Sequence, residues 1–156
     1  MTISTKEELQ FLLHRALEIE KDFESISVWK CFVCIGSKYR PTVLTLARDS
    51  HNHRLDLEKL LKTLNLDPPT DEIPEGSFNF EGMLDNEILQ KIVENDQIVA
   101  DLYAEVAKKT DPKLVAALLG DENVSIFYDL LKCLVEDENR HVNMVKSVTG
   151  DIVRVQ

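Results

Sequence analysis

The sequence predicts an all-α fold, four long helices in one bundle with a single long crossover between the second and third. Three observations carry this. Glycine and proline number only five each in 156 residues, and such a scarcity of breakers favours long helices over many short strands. Apolar residues recur three and four apart through most of the chain, the period of an amphipathic helix, and no segment alternates in the two-residue period of a strand. Breakers cluster at three junctions, two short and one extended. Hydrophobic residues at 44% and charged residues at 29% are the balance of a globular chain, and the length suits one domain over residues 1–156.

The first helix is expected from about residue 5 to 35. Thr5 and Glu8 have the spacing of a capping box. Leu9, Leu12, Leu13, Ala16, Ile19, Phe23, Ile26 and Val33 form its stripe, and Gly36 with Tyr39-Arg40-Pro41 turns the chain. Pro41 suits the first turn of a second helix, placed at 42–64, with Val43, Leu46, Leu57, Leu60, Leu61 and Leu64 inward. Residues 65–83 hold Pro68, Pro69, Pro74, Gly76 and Gly82 and show no period. A loop of that length is uncommon in a compact domain. Crossing the full length of a bundle would explain it, with Phe78 and Phe80 pinning it to the body.

The third helix is placed at 84–109, on Leu84, Ile88, Ile92, Val99, Tyr103 and Val106. Lys108 and Lys109 fall in its last turn, where cations offset the helix dipole. Thr110-Asp111-Pro112 breaks it. The apolar piece Leu114 to Leu119 is either a short separate helix or the first turn of the next. The last helix covers 121–148, with Val124, Phe127, Leu131, Leu134 and Val145 inward and Gly150 closing it.

Polar residues interrupt each stripe near its middle: Glu20 and Ser27 on the first helix, Ser50 and His53 on the second, Asp96 on the third, Glu138 and His141 on the fourth. An ionised carboxylate in a core is costly unless it is paired or bound to a cation. Three carboxylates and two imidazoles at one level therefore need a shared explanation. Residues i and i+3 lie on one helix face, so Glu138 and His141 can grip one ion, and carboxylate with imidazole suits iron, manganese or zinc. A lone Glu-x-x-His arises by chance in roughly one chain in several, and a lone inward histidine is more often a hydrogen-bonded core residue. The constellation weighs more because the chain also repeats. Leu46 to His53 and Leu134 to His141 both read Leu-x-x-Asp-[Ser/Glu]-x-x-His.

With Ala16-Leu17-Glu18-Ile19-Glu20-Lys21 on the first helix and the stretch Leu102 to Pro112 after the third, the pattern resembles the ferritin-like superfamily, and within it the rubrerythrin-like proteins, along all four long helices. The resemblance implies a ferritin-like bundle in which two helices each give a glutamate and two each give Glu-x-x-His. Carried over, Glu20 and Asp96 are the single carboxylates, Glu138 and His141 the intact pair, and His53 the second histidine, with Ser50 where its glutamate belongs. It implies two iron ions, or one if the site is impaired, with manganese or zinc as alternatives. The implied activity is iron or peroxide and oxygen handling, as a rubrerythrin-like peroxidase or a ferroxidase if the chain is an enzyme. Two departures bear on this. Three carboxylates stand in place of four, the missing one being of the bridging type, and Asp96 is one methylene shorter than glutamate. Glu94, His51 and Asp49 are the side chains that could substitute, although His51 and Asp49 sit beside the stripe, toward the surface.

Cys31-Phe32-Val33-Cys34 reads as a redox pair or as two soft core residues at i and i+3. The second reading is favoured because no strand-to-helix turn surrounds it. A rubredoxin-type iron site needs two cysteine pairs, and the chain has three cysteines, so electrons would come from an external donor. Trp29 and Tyr103 are read as core aromatics in preference to residues near the site. The competing functions are a metal-free helical interaction module and a thiol sensor built on Cys31 and Cys34. A net charge of −10 repels nucleic acid and anionic membranes, and no apolar run approaches the roughly 20 residues of a membrane span. The amino terminus has no signal-peptide pattern. These features, with an odd number of cysteines, suggest a reducing, cytoplasmic setting. Bundles of this class pair through helix faces, so a homodimer is the expected assembly.

Overall fold

The computed structural model describes residues 2–67 and 78–149, apart from the side chains of Ile26 and Ser27. The expected inward positions of Ile26 and Ser27, the breakers Pro68, Pro69, Pro74 and Gly76, and the closing Gly150 lie outside the described residues. The chain is all-helical there. Its helices are α1 (Lys6–Asp22), α2 (Ile26–Cys34), α3 (Arg40–Thr63), α4 (Asp85–Lys109), α5 (Pro112–Leu119) and α6 (Val124–Thr149). Short 3-10 turns at Ser37–Tyr39 and Asp121–Asn123 lead into α3 and α6. Among the described residues there is no strand, only an isolated bridge between Ile3 and Thr110. No helix among them is long and apolar enough to cross a membrane.

α1 begins as the Thr5–Glu8 spacing predicts. The Thr5 hydroxyl accepts the Glu8 N–H at 3.2 Å and donates to the Glu8 carboxylate at 2.8 Å. The expected single helix to residue 35 is instead two helices. The N–H groups of Phe23, Glu24 and Ser25 each bond three residues back, and Ser25 turns extended (φ −71°, ψ 162°) before α2 restarts from its carbonyl. Ser25 caps α2 through its backbone carbonyl alone, since its buried hydroxyl makes no cap bond. The restart re-aims the second half of the expected stripe. Val33 is 70% exposed and Trp29 also faces solvent, contrary to the inward positions expected of both. Leu84 is exposed as well, because it is the extended residue preceding α4 rather than part of its stripe. α5 is a separate helix, ended by Gly120 at φ 89°, a left-handed conformation that costs glycine little. α6 starts at Val124 rather than Asp121.

Two apolar clusters fill the interior. The first joins Leu9, Leu13 and Leu17 with Leu57, Leu61, Val99, Tyr103, Val106, Phe127, Leu131 and Leu134. The second joins Phe23, Val43, Leu46, Ile88, Leu89, Ile92, Val93 and Val145. Between them each long helix changes cluster, and that fixes its sense. α1 and α6 run from the first to the second, while α3 and α4 run from the second to the first. α1 packs on α3 and α4, and α6 packs on α4 and α3, so the contacts close a ring of antiparallel neighbours. α3 and α4 share a sense, and Leu66, after α3, lies in the first cluster while Phe78, before α4, lies in the second. Phe78 is held edge-on to Phe23 with centroids 5.7 Å apart and stacks on Phe80 at 5.2 Å, so these two residues pack on the body as expected.

Candidate metal centre

The layer between the two clusters is polar. Glu20 comes from α1, Ser50 and His53 from α3, Asp96 from α4, and Glu138 and His141 from α6, and all six are buried. The helical period explains their meeting: each lies in the gap where its stripe passes from one cluster to the other. Glu138 is the hub. His53 Nδ1 lies 2.9 Å from Glu138 Oε1 and His141 Nδ1 lies 3.3 Å from Glu138 Oε2. His53 Nδ1 is also 3.3 Å from Glu20 Oε1, and His141 Nδ1 is 3.8 Å from Asp96 Oδ2. The two rings stack with centroids 5.9 Å apart. Two sets of three ligand atoms, each lying within 4.8 Å of one another, result: Glu20, His53 and Glu138, and Asp96, Glu138 and His141.

The outer ring nitrogens are bound crosswise. His53 Nε2 on α3 meets Asp137 of α6 at 2.9 Å, and His141 Nε2 on α6 meets Asp49 of α3 at 2.9 Å. Arg140 donates to both aspartates, at 3.0 Å to Asp49 and 3.2 Å to Asp137. A carboxylate on Nε2 keeps the proton there and leaves Nδ1 for the interior. The reading from spacing placed Asp49 beside the stripe and passed over Asp137 and Arg140. A signal was present, since aspartate occupies the same place in both copies of the repeat. Tyr103 is a core aromatic, as expected, and its hydroxyl donates to Glu20 Oε1 at 2.6 Å.

The three potential substitutes for the missing carboxylate do not fill its place. Glu94 is exposed and takes a bond from Gln90. His51 is occupied by Glu24, which also pairs with Arg54. Asp49 faces the outer nitrogen of His141. Ser50 occupies the position itself, and its hydroxyl is buried without a hydrogen-bond partner. Of the cysteine pair, Cys31 is buried but Cys34 is exposed, a correction to the reading of both as core residues. It follows from the same restart of α2 that exposes Val33. Burial, with Cys34 and Asp85 adding to it, pushes the Cys31 thiol up to about 11, which disfavours the reactive thiolate.

The electrostatics follow from burying five ionisable groups together. Burial pushes Glu20 up to about 7; the hydrogen bond with His53 opposes the shift and the charge of Glu138 adds to it. Burial, then Glu138, raises Asp96 well above the carboxylate range. Burial would raise Glu138 too, but bonds from His141 and His53 outweigh it and hold it at about 2. Burial disfavours charge on His53, yet Glu138, Glu20 and Asp137 lift it to about 11. His141 is raised in the same way by Glu138 and Asp49. Protons on the histidines and on Asp96 thus stand where cations would.

The residues fit a pair of cations. Both Nδ1 atoms point inward, and Glu20 Oε2 and both Asp96 oxygens are buried with no donor from the protein. Asp96 can share its own proton with Glu138, which is part of what raises it. The arrangement remains expensive for a protein without metal. Asp96→Ala is accordingly expected to raise the stability of the metal-free protein by about 1–2 kcal/mol, read by chemical denaturation. A loss of similar size would mean that the bonds Asp96 makes outweigh its burial cost.

No family model matches the chain, nor does any curated protein or solved structure. Fold and polar layer therefore define it only as a helical bundle with a buried carboxylate–histidine centre.

Proposed function

We propose that this chain is a ferritin-like four-helix bundle that binds one or two ions of iron, or of manganese or zinc, and acts in iron or in peroxide and oxygen handling. The observation that carries the reading is the sharing of Glu138 between two buried three-ligand sets whose remaining oxygens have no partner. Two further features support it. α3 and α4 share a sense, and the residues flanking them, Leu66 and Phe78, lie in opposite clusters, which is compatible with the long crossover of ferritin-like folds. Each histidine is also oriented by an aspartate from the opposite helix, the usual companion of a ligating imidazole. Glu20, His53 and Glu138 would hold one ion; Asp96, His141 and Glu138 the other. Bound iron would supply one-electron chemistry toward oxygen or peroxide. The protein's share is to exclude water with two apolar clusters, to keep protons on the histidine Nε2 atoms through the accepting carboxylates of Asp137 and Asp49, and to hold a phenolic proton at Tyr103 against Glu20.

The test is elemental analysis of folded protein, counted per chain, after expression with iron, manganese and zinc available. His141→Ala is expected to remove at least one ion, whereas His51→Ala, altering a half-exposed ring bonded to Glu24, should remove none. Folded wild-type protein that carries no metal after expression with all three metals available would move the assignment to the second reading, an interaction module with a polar core. That reading has its own support, since protons alone can balance much of the layer.

A further inference from the structure

The polar layer is nearly two-fold symmetric, and one member breaks the symmetry. Exchanging α1 and α3 with α4 and α6 pairs Glu20 with Asp96, His53 with His141 and Asp49 with Asp137. The crosswise bonds of the two histidines, both 2.9 Å, obey the same exchange. The mate of Glu138 is Ser50, at the same place in the repeated Leu-x-x-Asp-[Ser/Glu]-x-x-His. Glu138 uses its two oxygens to touch both inner imidazole nitrogens. The symmetric position, which would touch both from α3, carries only a hydroxymethyl group, and that hydroxyl is fully buried and unpartnered. The lack is chemical as well as geometric. Each ion would have three protein ligands, one of them shared, which leaves an open position on each. Among the fully buried groups, three carboxylates would face the four charges of two divalent cations. Asp49 and Asp137 lie farther out and are already tied to the histidines and to Arg140.

We propose that Ser50 forms a receptor for a small carboxylate, of formate to acetate size, which takes the place opposite Glu138 and on which the second ion depends. This rests on the metal-binding reading above. The hydroxyl donates to one carboxylate oxygen, and the two oxygens of the anion face the two ions, as those of Glu138 do from the other side. Size limits the ligand. A glutamate side chain exceeds that of serine by about one carboxyl group, so formate matches the missing group in size, acetate exceeds it by a methyl group, and propionate is longer still. The anion and the second ion must favour each other's binding by the same factor.

The experiment titrates the metal-free protein with manganese(II) chloride in a buffer without carboxylates, with and without excess sodium formate. Sodium chloride matches the ionic strength, and bound ions per chain are counted after equilibrium dialysis. One ion is expected without formate and two with it, the second binding at least about tenfold more tightly when formate is present. Acetate should act more weakly and propionate not at all. Ser50→Glu should bind two ions without formate and ignore its addition, and Ser50→Val, which fills the place without a donor, should stay at one ion under both conditions. Thermal melting checks that each variant folds. Two ions in wild type without formate would overturn the inference and leave the metal reading standing, since water would then suffice. One ion under both conditions would also overturn it. No ion under either, with iron(II) and zinc(II) tried in place of manganese as well, would overturn the metal reading itself.

Discussion

Replacing Glu138 with alanine is expected to strip both ions and to lower the stability of the metal-free protein by about 3 kcal/mol. No other group among the described residues touches both inner histidine nitrogens, and it belongs to both three-ligand sets. Its loss leaves two imidazoliums without their main counter-charge inside the bundle. Breaking a buried ion pair from one side costs about 3–5 kcal/mol, and the low end applies because the rings can shed a proton and keep Asp137 and Asp49 on their outer nitrogens. Glu138→Gln separates the two effects. It keeps the volume and a carbonyl acceptor, so it should retain most of the stability while losing the ions. Denaturant unfolding and elemental analysis on the same samples check both. An alanine variant that still held metal would show that Glu138 is not the shared ligand, and one that lost metal but no stability would show that the histidines are neutral in the metal-free protein.

Much of the fold was legible because burial writes itself into helical spacing. The stripe of α6 runs Phe127, Leu131, Leu134 and then, after Glu138 and His141, Val145, and these apolar residues divide between the two clusters at that polar gap. The same logic located Glu20, His53 and Asp96 at one level. Three things were not legible. The restart at Ser25 has no glycine or proline to announce it, and it turned Val33 and Cys34 outward against a period that continued to read inward. The crosswise pairing of Asp49 with His141 and of Asp137 with His53 joins residues 92 and 84 positions apart, and spacing along one helix carries no information about the facing helix. The state of Ser50 was also hidden, because a buried hydroxyl with no partner and one bonded to its own backbone look alike in sequence.

The metal-free protein is expected to lose stability steadily as pH rises from about 5 to about 9, and bound metal should reverse the trend. His53 in the folded protein sits at about 11 against an ordinary 6.5. Its contribution is therefore complete below about 6.5 and declines as pH climbs toward 11. Glu20, raised to about 7 from 4.5, acts in the same direction for the opposite reason. Above 4.5 the unfolded chain gives up a proton that the folded chain keeps, so folding loses ground until pH 7 and the deficit stays constant beyond. Asp96 is raised in the same sense and extends the decline. Glu138, lowered to about 2, and Asp137, lowered by His53 and Arg140 against the pull of burial, contribute stability above the ordinary carboxylate range and lose it as the solution becomes acidic. The maximum thus falls near pH 4.5, where the gain from Glu138 is complete and the loss from Glu20 begins; His53 continues the loss above about 6.5. A metal ion must displace the protons on His53, His141 and Asp96, so its binding strengthens with pH over the range in which the metal-free fold weakens. Melting temperatures of the two forms measured in parallel should diverge toward alkaline pH. A flat profile for the metal-free protein over this range would mean that the layer holds no such protons, and a constant gap between the two forms would mean that metal does not compete for them.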